Sequence, residues 1–262
     1  MASREPMDEA QDSSSRPARS PSSFRSASDT ESVRAGETQR ALEVTLDAAP
    51  AALPYRLTLH GRYVTLVPLD AAAHADALWE RAGGPDHDGL WRYLHSGPFP
   101  TRAAFVADLE RKAVSDEQLF FAILDNLLGG ATGFACYMRI EPRHRRIEVG
   151  SILYTPAFQR TRGATEAMYL LARHVFEDLG YRRYEWKCDV LNELSCRAAV
   201  RFGFTFEGIF RQHMIVKGRS RDTAWYAMLD TEWPERRAEF ERWLDPSNFD
   251  AGGTQLTRLC MN

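Results

Sequence analysis

The sequence lacks the features that would commit it to a membrane, a metal or a nucleic acid. No run of 18 apolar residues occurs, so no membrane span is expected. The amino terminus has no apolar signal core, which points away from secretion and toward the cytoplasm. Cysteine is scarce: Cys136, Cys188, Cys196 and Cys260 show no CxxC spacing and read as reduced thiols rather than a zinc site or disulfide framework. Seven histidines show no HExxH or paired spacing, so no metal is expected. GxxxxGK and GxSxG are absent, which removes P-loop and esterase readings. A basic excess is missing too. With 33 basic against 36 acidic side chains the net charge is −3, whereas a bulk nucleic-acid binder would carry a surplus of cations.

What is present is unevenly spread over the 262 residues. Residues 1–40 hold ten serines, six arginines and seven acidic residues but only nine apolar ones, too few to offset the entropy of ordering. Residues 1–50 are therefore expected to be a disordered Ser/Arg-rich extension and linker. Residues 51–245 have the composition of one folded domain, and 246–262 read as a weakly ordered tail.

Within the domain, strand and helix periods alternate. Strands are expected at 63–69, 118–124, 132–140, 146–154, 184–189, 205–216 and 224–230. Helices are expected at 71–82, from the N-cap Thr101 onward, at 163–179, at 193–201 and at 234–244, with Gly180 a good residue to end the third. These imply a mixed α/β fold, a central sheet of about seven strands with helices on both faces.

The most informative stretch runs from the fourth strand into the third helix, 152–167. A strand feeding a small-residue turn that opens a helix presents free backbone N–H groups and the positive end of the helix dipole, a physical anion site. Arg160 and Arg162 would add charge. From here the residues form a series: QRTRGATEA at 159–167, FEDLGYRR at 176–183, NELS at 192–195, GFTFEG at 203–208 and RDTAWY at 221–226. In that order and register the chain resembles the GNAT superfamily of acyl-CoA-dependent N-acetyltransferases, and its RimJ/RimL-like branch in particular. The resemblance is dense over 147–232 and weaker over 63–140.

The resemblance implies a GNAT fold with a mostly antiparallel twisted sheet over 51–245. It also implies transfer of an acetyl group from acetyl-CoA, as co-substrate, to a primary amine in a ternary complex. Gln159, Arg160, Thr161, Arg162, Gly163, Ala164 and Thr165 would hold the pyrophosphate, although Arg162 stands where the family has a glycine and Gly163 is displaced by one. Gly150, Ser151, Ile152 and Leu153 would bind the pantetheine arm, with a backbone N–H polarising the thioester carbonyl. Alternation puts Ile147, Val149, Ser151 and Leu153 on one face of that strand. Gly150 either admits a ligand close to the backbone or marks a bulge. Glu148 occupies a family-like position for the general base, or else pairs with Arg145 or Arg146. The helix at 193–201 lacks the tyrosine that many relatives use to protonate the leaving thiolate; Ser195 is the expected substitute, with Asn192 binding the pantetheine amide or capping the helix.

The loop at 83–100 carries Asp86, His87, Asp88, Trp91, Tyr93 and His95, which would suit a cationic amine. The acceptor is expected to be a small-molecule amine or a peptide N-terminus, with no nucleic acid or membrane partner and with a homodimer compatible. Two other classes fit the same residues: a non-catalytic acyl-CoA sensor or scaffold, and a peptide-recognition module whose tail docks partners.

Overall fold

A computed structural model describes residues 49–261, so the expectation for the Ser/Arg-rich extension lies outside the described residues. Eight strands, β1 (Leu59–His60), β2 (Val64–Pro68), β3 (Leu119–Asp125), β4 (Ala131–Glu141), β5 (Arg146–Tyr154), β6 (Arg183–Asp189), β7 (Thr205–Val216) and β8 (Arg219–Leu229), form one sheet. Its order is β1-β2-β3-β4-β5-β6-β8-β7. Every neighbouring pair is antiparallel except β5 and β6. The helices are α1 (Ala71–Ala82), α2 (Arg102–Ala113), α3 (Arg162–Arg173), α4 (Glu193–Arg201) and α5 (Trp233–Leu244). The strand beyond the expected seven is β1, whose two residues are too few to show a period. β8 also begins five residues earlier than expected, because its first turn of sequence, Arg219-Ser220-Arg221-Asp222, is polar and carries no apolar alternation.

Helix starts follow side-chain chemistry. Asp70 caps α1 through Ala73 N–H, and Thr101 caps α2 through Ala104 N–H. Their apolar stripes, with Leu78 on α1 and Phe105 and Leu109 on α2, meet Phe120, Ala122, Phe134, Cys136 and Leu153 on one face of the sheet. The other face carries Leu66, Phe121, Ile123, Tyr137, Ile147 and Val149, covered by α3 and α5. At its C-terminal end α3 widens into a π turn over His174–Asp178, and Gly180 leaves it with φ 71°.

One carboxylate ties the start of the sheet to α3. Glu166, buried on α3, accepts from the backbone N–H groups of Arg62 at 2.8 Å, Tyr63 at 2.6 Å and Val64 at 2.9 Å. A Cβ at Gly61 would sit 2.5 Å from that carboxylate, so glycine is needed for the turn to approach it. At the other end of the chain, little regular structure follows α5, yet Asn248 bonds Trp243 O at 3.0 Å, Thr257 O at 3.2 Å and Thr257 N at 2.9 Å.

Glu166→Ala should lower stability by about 3 kcal/mol, since it leaves three N–H groups without their charged acceptor. Thermal unfolding followed by circular dichroism should show a Tm fall of roughly 6–12 °C for a domain of this size. A fall below about 2 °C would mean that water replaces the carboxylate at no cost.

Candidate functional site

The cleft begins where two strands part. β5 and β6 pair in parallel only from Arg146↔Arg183 to Val149↔Trp186, although β5 runs on to Tyr154 and β6 to Asp189. Beyond Val149 the β6-facing edge of β5 has no strand partner, which leaves backbone donors and acceptors available to a ligand. A β-bulge on the opposite edge accompanies the parting. Phe134 pairs with Leu153 and Cys136 with Gly150, so Ser151 and Ile152 oppose the single residue Ala135. Ser151 takes up the extra residue with φ 48°.

The bulge corrects the alternation read from the sequence. Ile147 and Val149 lie beneath α3, but Leu153 lies on the opposite face beneath α1 and α2, while Ile152 packs toward the α3 side. Gly150, Ser151 and Ile152 line the cleft; Leu153 can offer only its backbone. The irregularity is at Ser151 rather than Gly150. A Cβ at Gly150 would fall 2.4 Å from the Met138 sulfur, so this glycine makes room for Met138 on the cleft wall.

At the base of the cleft sits an ionic cluster. Glu148, 2% exposed, receives Arg139 Nη1 on both oxygens at 2.8 Å and Lys187 Nζ at 2.5 Å. Lys187 also reaches Glu185 at 2.5 Å, and Arg183 binds Glu185 at 2.6 Å. Arg146 pairs with Glu141 and Glu185. Glu148 and Glu185 are direct register partners on β5 and β6. The partners of Glu148 thus come from β4 and β6, a pairing that spacing within one hairpin could not signal. Burial would raise the Glu185 carboxyl, but hydrogen bonds from Arg183 and Lys187 outweigh it and hold its pKa below the ordinary value.

The loop into α3 is shaped by Thr161, which caps the helix through Ala164 N–H at 3.1 Å, and by Arg160 in the left-handed region at φ 64°. The N–H groups of Arg160, Arg162 and Gly163 have no acceptor among the described residues. The side chains behave differently from the expected phosphate ligands. Arg162 is held between the rings of Tyr63 and Phe249, 4.8 and 4.9 Å from their centroids. Thr165 is buried and accepts from Arg201 at 3.1 Å, while Ala164 O accepts from the Tyr154 hydroxyl at 3.0 Å. Gln159 donates to Tyr154 O at 3.0 Å and reaches the cleft. Gly163 is packing glycine, since a Cβ there would lie 2.8 Å from Val64 Cγ1. Across the cleft, Asn192 caps α4 through Ser195 N–H at 3.2 Å, and the Ser195 hydroxyl oxygen accepts from Trp186 Nε1 at 3.0 Å. The Cys188 and Cys196 sulfurs lie 3.5 Å apart beside it.

The remaining wall departs from the acidic lining expected of it. Trp91 is buried against Phe99, Phe105 and Phe134, with its Nε1 on Ala82 O. Asp86, His87 and Asp88 do not line the cleft, whereas Tyr93 and His95 do. Tyr93 donates to Leu191 O at 2.8 Å, and Lys217, at the tip of the β7–β8 hairpin, donates to Trp91 O at 2.7 Å and Ser96 O at 3.2 Å. β7 and β8 contribute His213, which the sequence reading did not name, and Arg221, which it quoted only within the motif at 221–226 and gave no role. His213 Nδ1 lies 3.0 Å from Thr223 Oγ1. Burial, then the charges of Arg139, Arg221 and Lys187, push the His213 imidazole below its ordinary pKa. Burial and the cations Arg221, Arg139 and Lys217 do the same to His95 against the opposing charge of Glu148. Both shifts favour the neutral form of the ring.

Residues 64–205 match the family described as an acetyltransferase (GNAT) domain. The chain is 47% identical to a crystallised GCN5-related N-acetyltransferase from Brucella melitensis over 80% of this chain and 96% of that one, with a TM-score of 0.79. A crystallised RimL, a ribosomal L7/L12 alpha-N-protein acetyltransferase, covers 70% of this chain and 99% of its own at 19% identity and TM-score 0.57, a likeness of fold alone. Among curated proteins, the uncharacterized N-acetyltransferase YoaA of Bacillus subtilis is 31% identical over 100 residues, 38% of this chain. That match spans 54% of the relative, about half its length.

The depressed Glu185 carboxyl makes stability fall with acid. A group whose pKa is lowered by folding contributes above its unfolded value and loses that contribution as pH drops through the folded value. Unfolding free energy should therefore decline as pH falls below about 4.5, the ordinary value. Glu185→Gln should start less stable at pH 7 but show a shallower acid slope in urea titrations between pH 5 and 2. Parallel slopes would remove Glu185 from the acid response.

Proposed function

The chain belongs to the GNAT acetyltransferase family, and we propose that it transfers an acetyl group from acetyl-CoA to a primary amine by direct attack in a ternary complex. The observation that carries this reading is the parting of β5 and β6. It leaves the backbone of Gly150–Ile152 open on one side, with the N–H groups of Arg160, Arg162 and Gly163 nearby on the loop into α3. Donors of that kind suit the amides of a pantetheine arm and the phosphates of CoA. The site residues then divide by atom. Gln159 to Ala164 act through backbone and shape, Asn192 offers its side-chain NH₂ while Oδ1 caps α4, and Thr165 supports Arg201.

Acetyl transfer needs a neutral amine nitrogen to attack the thioester carbonyl, a donor for the oxygen that becomes negative, a proton acceptor and a partner for the departing thiolate. A β5 backbone N–H serves the oxygen. Glu148 is tied to Arg139 and Lys187, so taking a proton would break two ion pairs at once; we assign it to anchoring the cleft. His213, neutral and on the wall of the same cleft, takes the proton from nitrogen. Ser195, whose oxygen already accepts from Trp186, turns its own O–H toward the thiolate.

A RimJ/RimL-like acceptor class, protein N-termini or small amines, is supported by the register of the motifs from Gln159 to Tyr226. A reducing, cytoplasmic setting is supported by the thiols of Cys136, Cys188 and Cys196.

Calorimetry with acetyl-CoA, followed by thiol release over a panel of amines, tests the reading. Binding with turnover is the expected result; heat without turnover on any amine would favour an acyl-CoA sensor, and no heat at millimolar ligand would remove the reading altogether. For an active amine, the acid limb of the kcat profile should lie below pH 6.5, because the imidazole must be neutral to accept a proton. His213→Gln should lower kcat about 10²–10⁴-fold, the usual worth of general base catalysis, and erase that limb. A surviving limb would place the base elsewhere.

A further inference from the structure

Arg221 differs from the other cations around the cleft. Arg139, Lys187 and Arg183 are ion-paired, Lys217 donates to two carbonyls and Arg201 to Thr165. Arg221, on β8, is only 8% exposed, yet among the described residues its guanidinium has no hydrogen-bond acceptor and no ion-pair partner, and its Nε is fully buried without one. It lines the cleft beside His213, Met214 and Thr223. The terminal nitrogens, also without a protein partner, are not sealed off as Nε is, so the fork of a largely buried cation is left for something outside the chain to complete from the cleft. Burial pulls its pKa down, and the charge of Asp189 only partly opposes this. The Asp189 carboxylate is itself engaged by Leu191 N–H at 2.9 Å.

We propose that the acceptor end of the cleft binds an amine that also carries a carboxylate, and that Arg221 is the residue that holds it; this deepens the acetyl-transfer reading and rests on it. A planar guanidinium fork matches a carboxylate with two parallel hydrogen bonds, which an ammonium or a neutral donor cannot copy. The surroundings favour the same charge. Glu148 is already neutralised by Arg139 and Lys187, burial and neighbouring cations disfavour charge on His95 and His213, and Lys217 adds positive field. That field repels polyamines and aminoglycosides, which carry several cations and nothing for Arg221 to grip. The chemistry fits the α-carboxylate of a free amino acid and the acidic side chain at a peptide's amino terminus alike.

Matched pairs separate these cases. Thiol release and calorimetry with CoA-saturated protein would compare amino acids with their carboxamides, and peptides beginning with Asp or Glu with those beginning with Asn or Gln. The wild type should favour the carboxylate member of at least one pair tenfold or more, roughly the worth of a charge-assisted hydrogen bond. Whichever pair responds identifies the source of the carboxylate. Arg221→Gln should bring that ratio close to one by raising KM for the carboxylate member, with acetyl-CoA affinity kept within about twofold. Arg221→Lys, which keeps the charge and volume if the glutamine variant folds poorly, should retain only part of the preference. Equal treatment of both members by the wild type overturns the inference, as does an equal loss on both in the variants. A fall in acetyl-CoA affinity on either substitution overturns it too, by placing Arg221 on the cofactor. Should acetyl-CoA give no heat, the acetyl-transfer reading falls. The carboxylate preference is then read from titration of the same amines into the protein alone, where its absence overturns this inference separately.

Discussion

Two carboxylates face each other across the parallel pair of β5 and β6, and the site is arranged around keeping them there. Glu148 and Glu185 are register partners on β5 and β6, an arrangement that would push the strands apart if both charges stood alone. Lys187 lies between them, with Arg139 closing one end and Arg183 the other. Ion pairs of this kind contribute little net stability when intact, but removing one member strands the rest in a poor solvent for charge. Their structural effect is positional. They clamp β5 to β6 at the last rungs before Val149 and Trp186, so that the strands separate at one defined point rather than fraying over a length. The bulge at Ser151 turns β5 at the same place, with the extra residue taken up on the β4 side.

Much of this architecture is legible from the sequence because its signals are local. Thr101 announces α2, the break at Gly180 ends the third helical segment, and 71–82, 146–154, 193–201 and 205–216 coincide with observed elements. What could not be read is whatever depends on two distant segments meeting. A bulge needs a partner strand to be a bulge, so the parity of β5 beyond Gly150 was beyond any period-2 argument. Lys187 reads as an ordinary polar residue between Trp186 and Cys188; only the fold shows that its ammonium is enclosed by Glu148, Glu185 and the Trp225 ring, 4.1 Å away. His213 sits in a polar part of the β7–β8 hairpin where no motif distinguishes a cleft residue from a solvated one, and Arg221 opens the quoted motif at 221–226 without any local mark of a cleft role.

The glycine displaced by one position finds a physical explanation at the same level. Arg162 is accommodated because its side chain leaves the loop altogether and stacks between Tyr63 and Phe249, while the neighbouring Gly163 provides the close approach of α3 to Val64. On the proposed reading, the loop into α3 would meet the cofactor through backbone N–H groups, and the acceptor would meet charged side chains.

Lys217 carries a mechanical implication. Its ammonium spans from the tip of the β7–β8 hairpin to the carbonyls of Trp91 and Ser96, so the loop that walls the cleft hangs on the sheet's far edge as if on a strut. Both anchors accept from an ammonium, so each bond is charge-assisted. A change at the hairpin tip is therefore felt directly on the cleft wall, at Trp91, whose indole is also held by burial and by Ala82 O.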